Sequence, residues 1–237
     1  MEAKNSVANS LNLLEVFQVC DSTFPIGTFN HSFGMENYLH EKKITNTESF
    51  AQWLQNFFQL SFAYGEGLLT LLVYRALEDG DIEKIWEYDQ IMNHSTFARE
   101  TRTATKLIAK QMQTLIEKVY GSFETLATYS QLVGEGTLYG NPAIVFALFA
   151  HHKGLPAADA FLMYGYSVAS TLVQNAVRAI PLGQSDGQIV LHNTITLLGA
   201  LYDEVKDLDE DYLGANGPGI ELAQILHETQ GPRLFMS

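Results

Sequence analysis

Glu36 and His40 come closest to a metal site among the residues of this chain. They stand four positions apart, so on a helix both side chains share a face and could contribute two ligands. No third ligand is apparent, and we favour an exposed pair without a metal. The sequence also lacks an E-x-x-H pair, an H-E-x-x-H motif, a P-loop and a G-x-S-x-G motif. We therefore predict no metal site and no catalytic residue.

Arg178 is a second candidate for chemistry, because it ends a long segment without charge and precedes a proline turn. An arginine in this position could act as an arginine finger for a partner GTPase. It could equally cap the C-terminus of its own helix, where a cation is favourable. An enzyme of the helical-bundle type would have to use Cys20, His31 or Glu36.

A row of basic residues recurs at steps of three and four through the middle of the chain, which places positive charge along one helix face. The row is either a solvated face of an amphipathic helix or a docking face for an acidic partner. Its members are Arg99, Arg102, Lys106 and Lys110.

Composition limits the possible partners and compartments. The 237 residues carry a net charge of -13, which disfavours nucleic acid and anionic membranes as partners. A single cysteine, Cys20, excludes an internal disulfide and a multi-cysteine metal site. The first ten residues lack an apolar signal core, so we expect a cytoplasmic protein. The charge-free stretch 160–177 is too polar for a confident membrane span, and we expect it in the core or in a homodimer interface.

The apolar periodicity and the capping signals predict an all-α protein, a single-domain multi-helix bundle of about ten helices. Residues 45–48 are predicted to form a capping box that opens a helix to about residue 63. Asn141 and Pro142 mark a further helix start, and a second capping box is predicted at 185–188. We divide the chain into a mobile segment, 1–10, and one helical domain, 11–237.

The segment 21–36 combines turn residues with aromatic side chains and contains no Lys or Arg. Phe24 precedes Pro25 and is therefore biased toward an extended conformation. Pro25 stands at the second position of a possible type I turn. We predict that Phe24, Phe29 and Phe33 anchor this loop to a core. On physical grounds alone, the segment is an ordered connector.

Three motifs resemble those of the urease accessory protein UreF family. The first lies in the segment 21–36, the second is RAIPLGQSDGQ at 178–188, and the third is H-E-T-Q followed by R-L-F-M-S at the end of the chain. One position departs from the family pattern, since Ala109 stands where a glycine is expected. The matching residues are Asp21, Ser22, Phe24, Pro25, Gly27, Phe29, His31, Ser32, Gly34 and Glu36 in the first motif, Arg178, Pro181, Gln184 and Gln188 in the second, and His227, Glu228, Arg233, Leu234, Phe235 and Ser237 in the third.

The resemblance implies an accessory protein without catalytic residues or a cofactor of its own. Members of the family form homodimers and bridge a second accessory protein, UreD (also called UreH), to the GTPase UreG. Together they engage apo-urease and promote insertion of nickel into its active site. The complex handles nickel transiently, and UreG binds GTP. The resemblance does not choose between regulation of the GTPase and a role in a nickel passage. The resemblance also implies that the residues of the second and third motifs bind partners. Two alternative functions stay open: a helical-bundle enzyme, or a GTPase-activating protein that acts on UreG through Arg178.

The tail Arg233–Ser237 follows a helix break at 231–232 and carries three apolar side chains. A short segment of this kind has little local support, so we predict that it docks on UreD and that its removal leaves the fold unchanged. The alternative is that the tail docks on its own domain.

Overall fold

The computed structural model describes the backbone of residues 2–237 and the side chains of Val7 and residues 9–237. Over these residues the chain is α-helical without a β-strand, which confirms the predicted multi-helix fold. The predicted mobile segment, 1–10, includes residues outside this description and stays a prediction. The helices are α1 (Glu2–Cys20), α2 (Met35–His40), α3 (Thr47–Phe57), α4 (Leu68–Asp79), α5 (Ile82–Ser95), α6 (Arg99–Tyr120), α7 (Glu124–Gly134), α8 (Pro142–His152), α9 (Ala157–Ala179), α10 (Gln184–Val205) and α11 (Pro218–His227).

Helix α8 forms the centre of the core, because every residue from Pro142 to Ala150 is buried. Its start follows the prediction: the Asn141 side chain accepts a hydrogen bond from the backbone N–H of Ala143 at 2.8 Å, and Pro142 occupies the first turn. Helices α4, α6 and α9 pack around α8. None of the helices within residues 2–237 has the length and apolar character that crossing a membrane requires.

Helix α9 contains the whole charge-free stretch 160–177 and packs along α10. Gly165 allows this approach, since a Cβ atom there would lie 2.5 Å from Cδ2 of Leu198. Gly165 and Ala169 are buried in the chain's own core. Of the two positions expected for this stretch, the core is therefore confirmed at these residues, and the homodimer stays a prediction.

Two predicted helix starts are displaced. The capping box that opens α3 uses Asn46 and Ser49 rather than residues 45 and 48, because the Asn46 side chain accepts from Ser49 N at 2.9 Å and Ser49 Oγ accepts from Asn46 N at 3.1 Å. Helix α10 begins at Gln184, ahead of the predicted box at 185–188. The buried Leu182 fixes the preceding turn, and the helix therefore starts immediately after it.

Helix α3 continues into a π-helical stretch, Phe58–Gly67, before α4 begins. Gly65 interrupts this stretch with non-helical angles of φ -97° and ψ -113°. Wide helical turns of this kind are frequent at functional sites. The interruption redirects the chain between two buried helices, and Glu66 follows directly after it.

Candidate functional site

The C-terminal tail folds back onto the N-terminal motif. The backbone N–H of Met236 donates to Asn30 O at 2.8 Å, and that of Ser32 donates to Ser237 O at 2.6 Å. The side chain of Ser237 meets Nδ1 of His31 at 2.9 Å. The expectation that the tail has little local support is therefore wrong, because its backbone is paired with a loop some 200 residues away in sequence.

Glu36 binds the backbone of the tail at Leu234 and Phe235. Its carboxylate accepts the backbone N–H groups of Leu234 and of Phe235, the latter at 2.9 Å, and it lies 2.9 Å from Nε2 of His227. Glu36 is buried, and the two backbone N–H groups and the His227 ring replace the solvation that this burial removes. The predicted exposed pair with His40 is wrong, because Glu36 faces α11 and the tail.

His227 joins two carboxylates in the interior. The residue is 1% exposed; Nε2 faces Glu36, and Nδ1 lies 2.9 Å from Glu100 Oε2. An imidazolium can donate to both oxygens, whereas a neutral ring has one N–H. Arg233 completes the group by donating to Glu100 Oε1 at 2.7 Å. Arg233 thus pairs with Glu100, and removing Arg233 would leave that half-buried carboxylate without its ion-pair partner.

The surroundings shift the proton affinities of two groups in this assembly. Burial raises the pKa of the Glu100 carboxyl, but the hydrogen bonds from Arg233 and His227 outweigh it, so the pKa lies below its ordinary value. Burial lowers the pKa of His31. The ionised form of Glu100 and the neutral form of His31 are therefore favoured when the tail is docked.

Helix α9 contributes two side chains to the same assembly. Asn175, fully buried, donates from Nδ2 to His31 O at 2.9 Å. Arg178 donates from Nη1 to Phe29 O at 3.2 Å, and its guanidinium lies 5.8 Å from the ring centroids of both Phe29 and Phe235. Within the described part of the chain Arg178 thus bonds the loop and not the last carbonyls of its own helix, and these contacts link the loop to the tail.

The motif loop turns differently from the prediction. Ile26 N donates to Phe24 O at 2.8 Å, which is a γ-turn centred on Pro25 and not a type I turn. Phe24 is buried and Phe33 packs against the core, as predicted. Phe29 is 51% exposed, so its predicted anchoring role is wrong. The short 3₁₀ turn that contains it holds its ring at the surface, where Arg178 lies over it.

The glycine and aspartate of the motif shape the loop. Gly34 has a φ of +92°, and a Cβ atom there would lie 3.1 Å from Cγ of Gln224. The glycine therefore permits α2 to start in close contact with α11. Gly27, with a φ of +89°, precedes the 3₁₀ turn. Asp21 accepts hydrogen bonds from Thr23, whose side-chain hydroxyl is the main reason that the pKa of Asp21 is lowered.

Side chains of the tail alternate between the interior and the surface. Phe235 and Ser237 are buried at 4% and 3% exposure, whereas Leu234 and Met236 are 55% and 61% exposed. Period-two alternation is typical of an extended segment. Leu234, Met236 and the neighbouring Phe29 form an exposed apolar area that we call the tail surface. Of the predicted contact residues in the tail, Leu234 is thus available to a partner and Phe235 is not.

Other predicted partner-binding residues lie apart from the tail. Glu228 accepts a hydrogen bond from Arg99 N at 2.6 Å and lies 3.6 Å from Arg99 Nε, which secures the start of α6. Arg99, one of the four basic residues in the row on α6, therefore binds Glu228 of its own chain. Among the described residues, several exposed motif residues have no hydrogen bond to the tail, including Ser22, Pro181, Gln184 and Gln188.

The enzymatic alternative finds little support in this geometry. His31 and Glu36 are buried and engaged by the tail. Cys20 is buried too, and burial raises the pKa of its thiol, which disfavours the nucleophilic thiolate.

Sequence reasoning missed Glu100 and Asn175 as members of the assembly. Glu100 is 133 positions from Arg233, and no local pattern connects such a pair. Asn175 carries a weak signal of such a contact, because a buried amide within an apolar helix needs a hydrogen-bond partner.

Comparison with known proteins places the chain in one family. The UreF family model matches residues 44–194. A urease accessory protein UreF from Streptococcus salivarius (strain 57.I) is 51% identical over 224 residues, which cover 94% of each chain. UreF proteins from Bacillus sp. (strain TB-90) and Lachnoclostridium phytofermentans are 40% and 38% identical over 225 residues, 95% of this chain and 99% and 98% of their own lengths. The chain therefore belongs to the UreF family of urease accessory proteins.

Proposed function

We propose that this protein promotes urease maturation by bridging UreD to the GTPase UreG while nickel is inserted into apo-urease. The observation that carries the proposal is 51% identity to a urease accessory protein over 94% of both chains. Similarity across almost the full length, and not over one segment, supports a shared role for the whole domain.

The tail surface is the docking element that we assign to UreD. Leu234, Met236 and Phe29 are exposed apolar side chains, and covering each of them on a partner would contribute roughly 1.5–3 kcal/mol. The group of Glu36, Glu100, His227 and Arg233 fixes the backbone that carries them. A surface ordered before binding loses less conformational entropy on association than a free tail would.

The same proposal covers the remaining features of the complex. The protein acts as a homodimer in the cytoplasm, has no catalytic activity, and holds no resident metal or cofactor. Nickel is a substrate of the whole complex, and GTP is bound by UreG. Apo-urease is the final acceptor.

Urease activation with purified components tests this function. Apo-urease, UreD, UreG, nickel and GTP are combined with and without this protein, and ammonia release from urea is measured. We expect activation to depend on the protein, and a variant with an exposed change far from the tail, Val119→Ser, should activate like the parent. Equal urease activity in the absence of the protein would contradict the proposal.

A further inference from the structure

A partly open cavity of about 130 Å³ lies where α1, the π-helical stretch, α5, α6, α8 and α9 meet. Its volume is enough for several water molecules. Phe62, Met92, Met112 and Phe146 supply apolar wall, and Glu66 supplies a carboxyl group. None of these residues takes part in the assembly around the tail.

Glu66 is an ionisable group with incomplete hydrogen bonding. Tyr164 donates its hydroxyl to Oε2 of Glu66 at 2.9 Å, and within the described residues this is the one hydrogen bond to the carboxyl. Protein surrounds the group, and burial raises its pKa to about 7. The side chain nevertheless keeps partial accessibility because it borders the cavity. Oε1 is therefore free to accept a hydrogen bond from a ligand.

Aromatic rings line the same cavity as this carboxyl. The Tyr164 ring centroid lies 6.3 Å from that of Phe62 and 5.2 Å from that of Phe146, and all three side chains line the cavity. A carboxylate together with aromatic faces is the combination that recognises an organic ammonium group, through a charge-assisted hydrogen bond and cation–π attraction.

The other charged or titratable groups on the cavity are already engaged. Asp89 accepts the N–H groups of Tyr139 and Gly140 at 2.7 and 3.0 Å. Arg102 donates to two backbone carbonyls, and the Nζ atom of Lys106 lies 4.4 Å from the Tyr139 ring centroid. The remaining titratable groups on the cavity are Cys20 and Tyr164.

The ligand is better matched to an organic cation than to a metal or an anion. Within the described residues, no three His, Cys, Asp or Glu side chains converge in a way that could hold a metal ion. The net charge of -13 raises the local concentration of cations around the protein.

We propose that this cavity binds a small organic ammonium ion, whose N–H group donates to Glu66 and whose short apolar body lies against Phe62, Phe146 and Tyr164. The proposal is independent of the role in urease maturation, since it uses none of the tail contacts.

Calorimetry on the full chain with n-butylammonium chloride tests this proposal, with 1-pentanol as a neutral probe of similar size and pentanoate as an anionic one. Wild-type protein at pH 8 should bind n-butylammonium at least about tenfold more tightly than either, the effect of one charge-assisted hydrogen bond. Glu66→Gln should lose this preference. Glu204→Gln should keep it, since Glu204 also accepts a tyrosine hydroxyl, from Tyr64 at 2.7 Å, but is exposed.

A second measurement needs no variant. Because the ionised carboxylate is the acceptor, the affinity of wild-type protein for n-butylammonium should fall by about tenfold between pH 8 and pH 6. No binding of n-butylammonium, equal binding by Glu66→Gln, binding without this pH dependence, or binding of nickel chloride at Glu66 in its place would each overturn the proposal.

Discussion

Replacing Glu66 with Gln should stabilise the protein at alkaline pH and have little effect in acid. Protein surrounds the Glu66 carboxyl apart from its access to the cavity, and this desolvation raises its pKa from an ordinary value of 4.5 to about 7. Gln keeps the size of the side chain and an oxygen that accepts the hydroxyl of Tyr164, but it never ionises. The substitution therefore removes the cost of burying the charge and preserves the packing.

The sign and the size follow from proton linkage. Between pH 4.5 and 7 the folded state holds a proton on Glu66 that the unfolded state has lost, so the free energy of unfolding of the parent falls as the pH rises through this window. The two pKa values differ by about 2.5, which at about 1.4 kcal/mol for each pH unit amounts to about 3 kcal/mol. Glu66→Gln should gain about this much above pH 7 and almost nothing below pH 4.5.

Urea unfolding followed by circular dichroism measures this difference. The parent, Glu66→Gln and the exposed control Glu204→Gln are compared at pH 8 and near pH 4.5. We expect the gain for Glu66→Gln at pH 8 to be lost at the lower pH, while Glu204→Gln follows the parent at both. Destabilisation by Glu66→Gln at pH 8, or an equal effect at both pH values, would refute the reasoning.

Three further changes test the packing of the fold and of the tail. Phe235→Ala should cost about 3 kcal/mol or more in the free energy of unfolding or release the tail, which carboxypeptidase sensitivity detects; unchanged stability with a protected tail would contradict this. Glu100→Gln should destabilise the protein by about 1–3 kcal/mol at pH 7, and because the pKa of Glu100 is lowered, this loss should shrink as the pH falls below its ordinary value of 4.5; an effect that does not change with pH would argue against the ion group. Gly165→Ala should lower the free energy of unfolding by about 1–3 kcal/mol, because the added Cβ would lie 2.5 Å from Cδ2 of Leu198. Unchanged stability in urea unfolding would contradict the close packing of α9 on α10.

The helical architecture could be predicted because its signals are local. Asn141 and Pro142 stand side by side in sequence, and the cap that they form needs no distant residue. The start of α10 was predicted less well, since the buried Leu182, a tertiary feature, decides where that helix begins.

The tail could not be predicted from its own residues. Leu234–Met236 read as an unsupported apolar segment, yet Glu36 binds its backbone from almost 200 positions away. The partner of a backbone N–H leaves no periodic pattern in the sequence. Resemblance to known motifs identified Glu36, His227 and Arg233 as important residues, but it did not show that they contact one another.

The binding of UreD to the tail surface is the measurement that tests the central claim most directly. Leu234→Ser and Met236→Ser are combined in one variant, with Val119→Ser as the control, since Val119 is 51% exposed at the far end of α6. The double variant should keep the parental stability, because both side chains are outside the core, and should lose at least about tenfold in affinity for UreD together with urease activation. Parental affinity of the double variant for UreD would contradict the account.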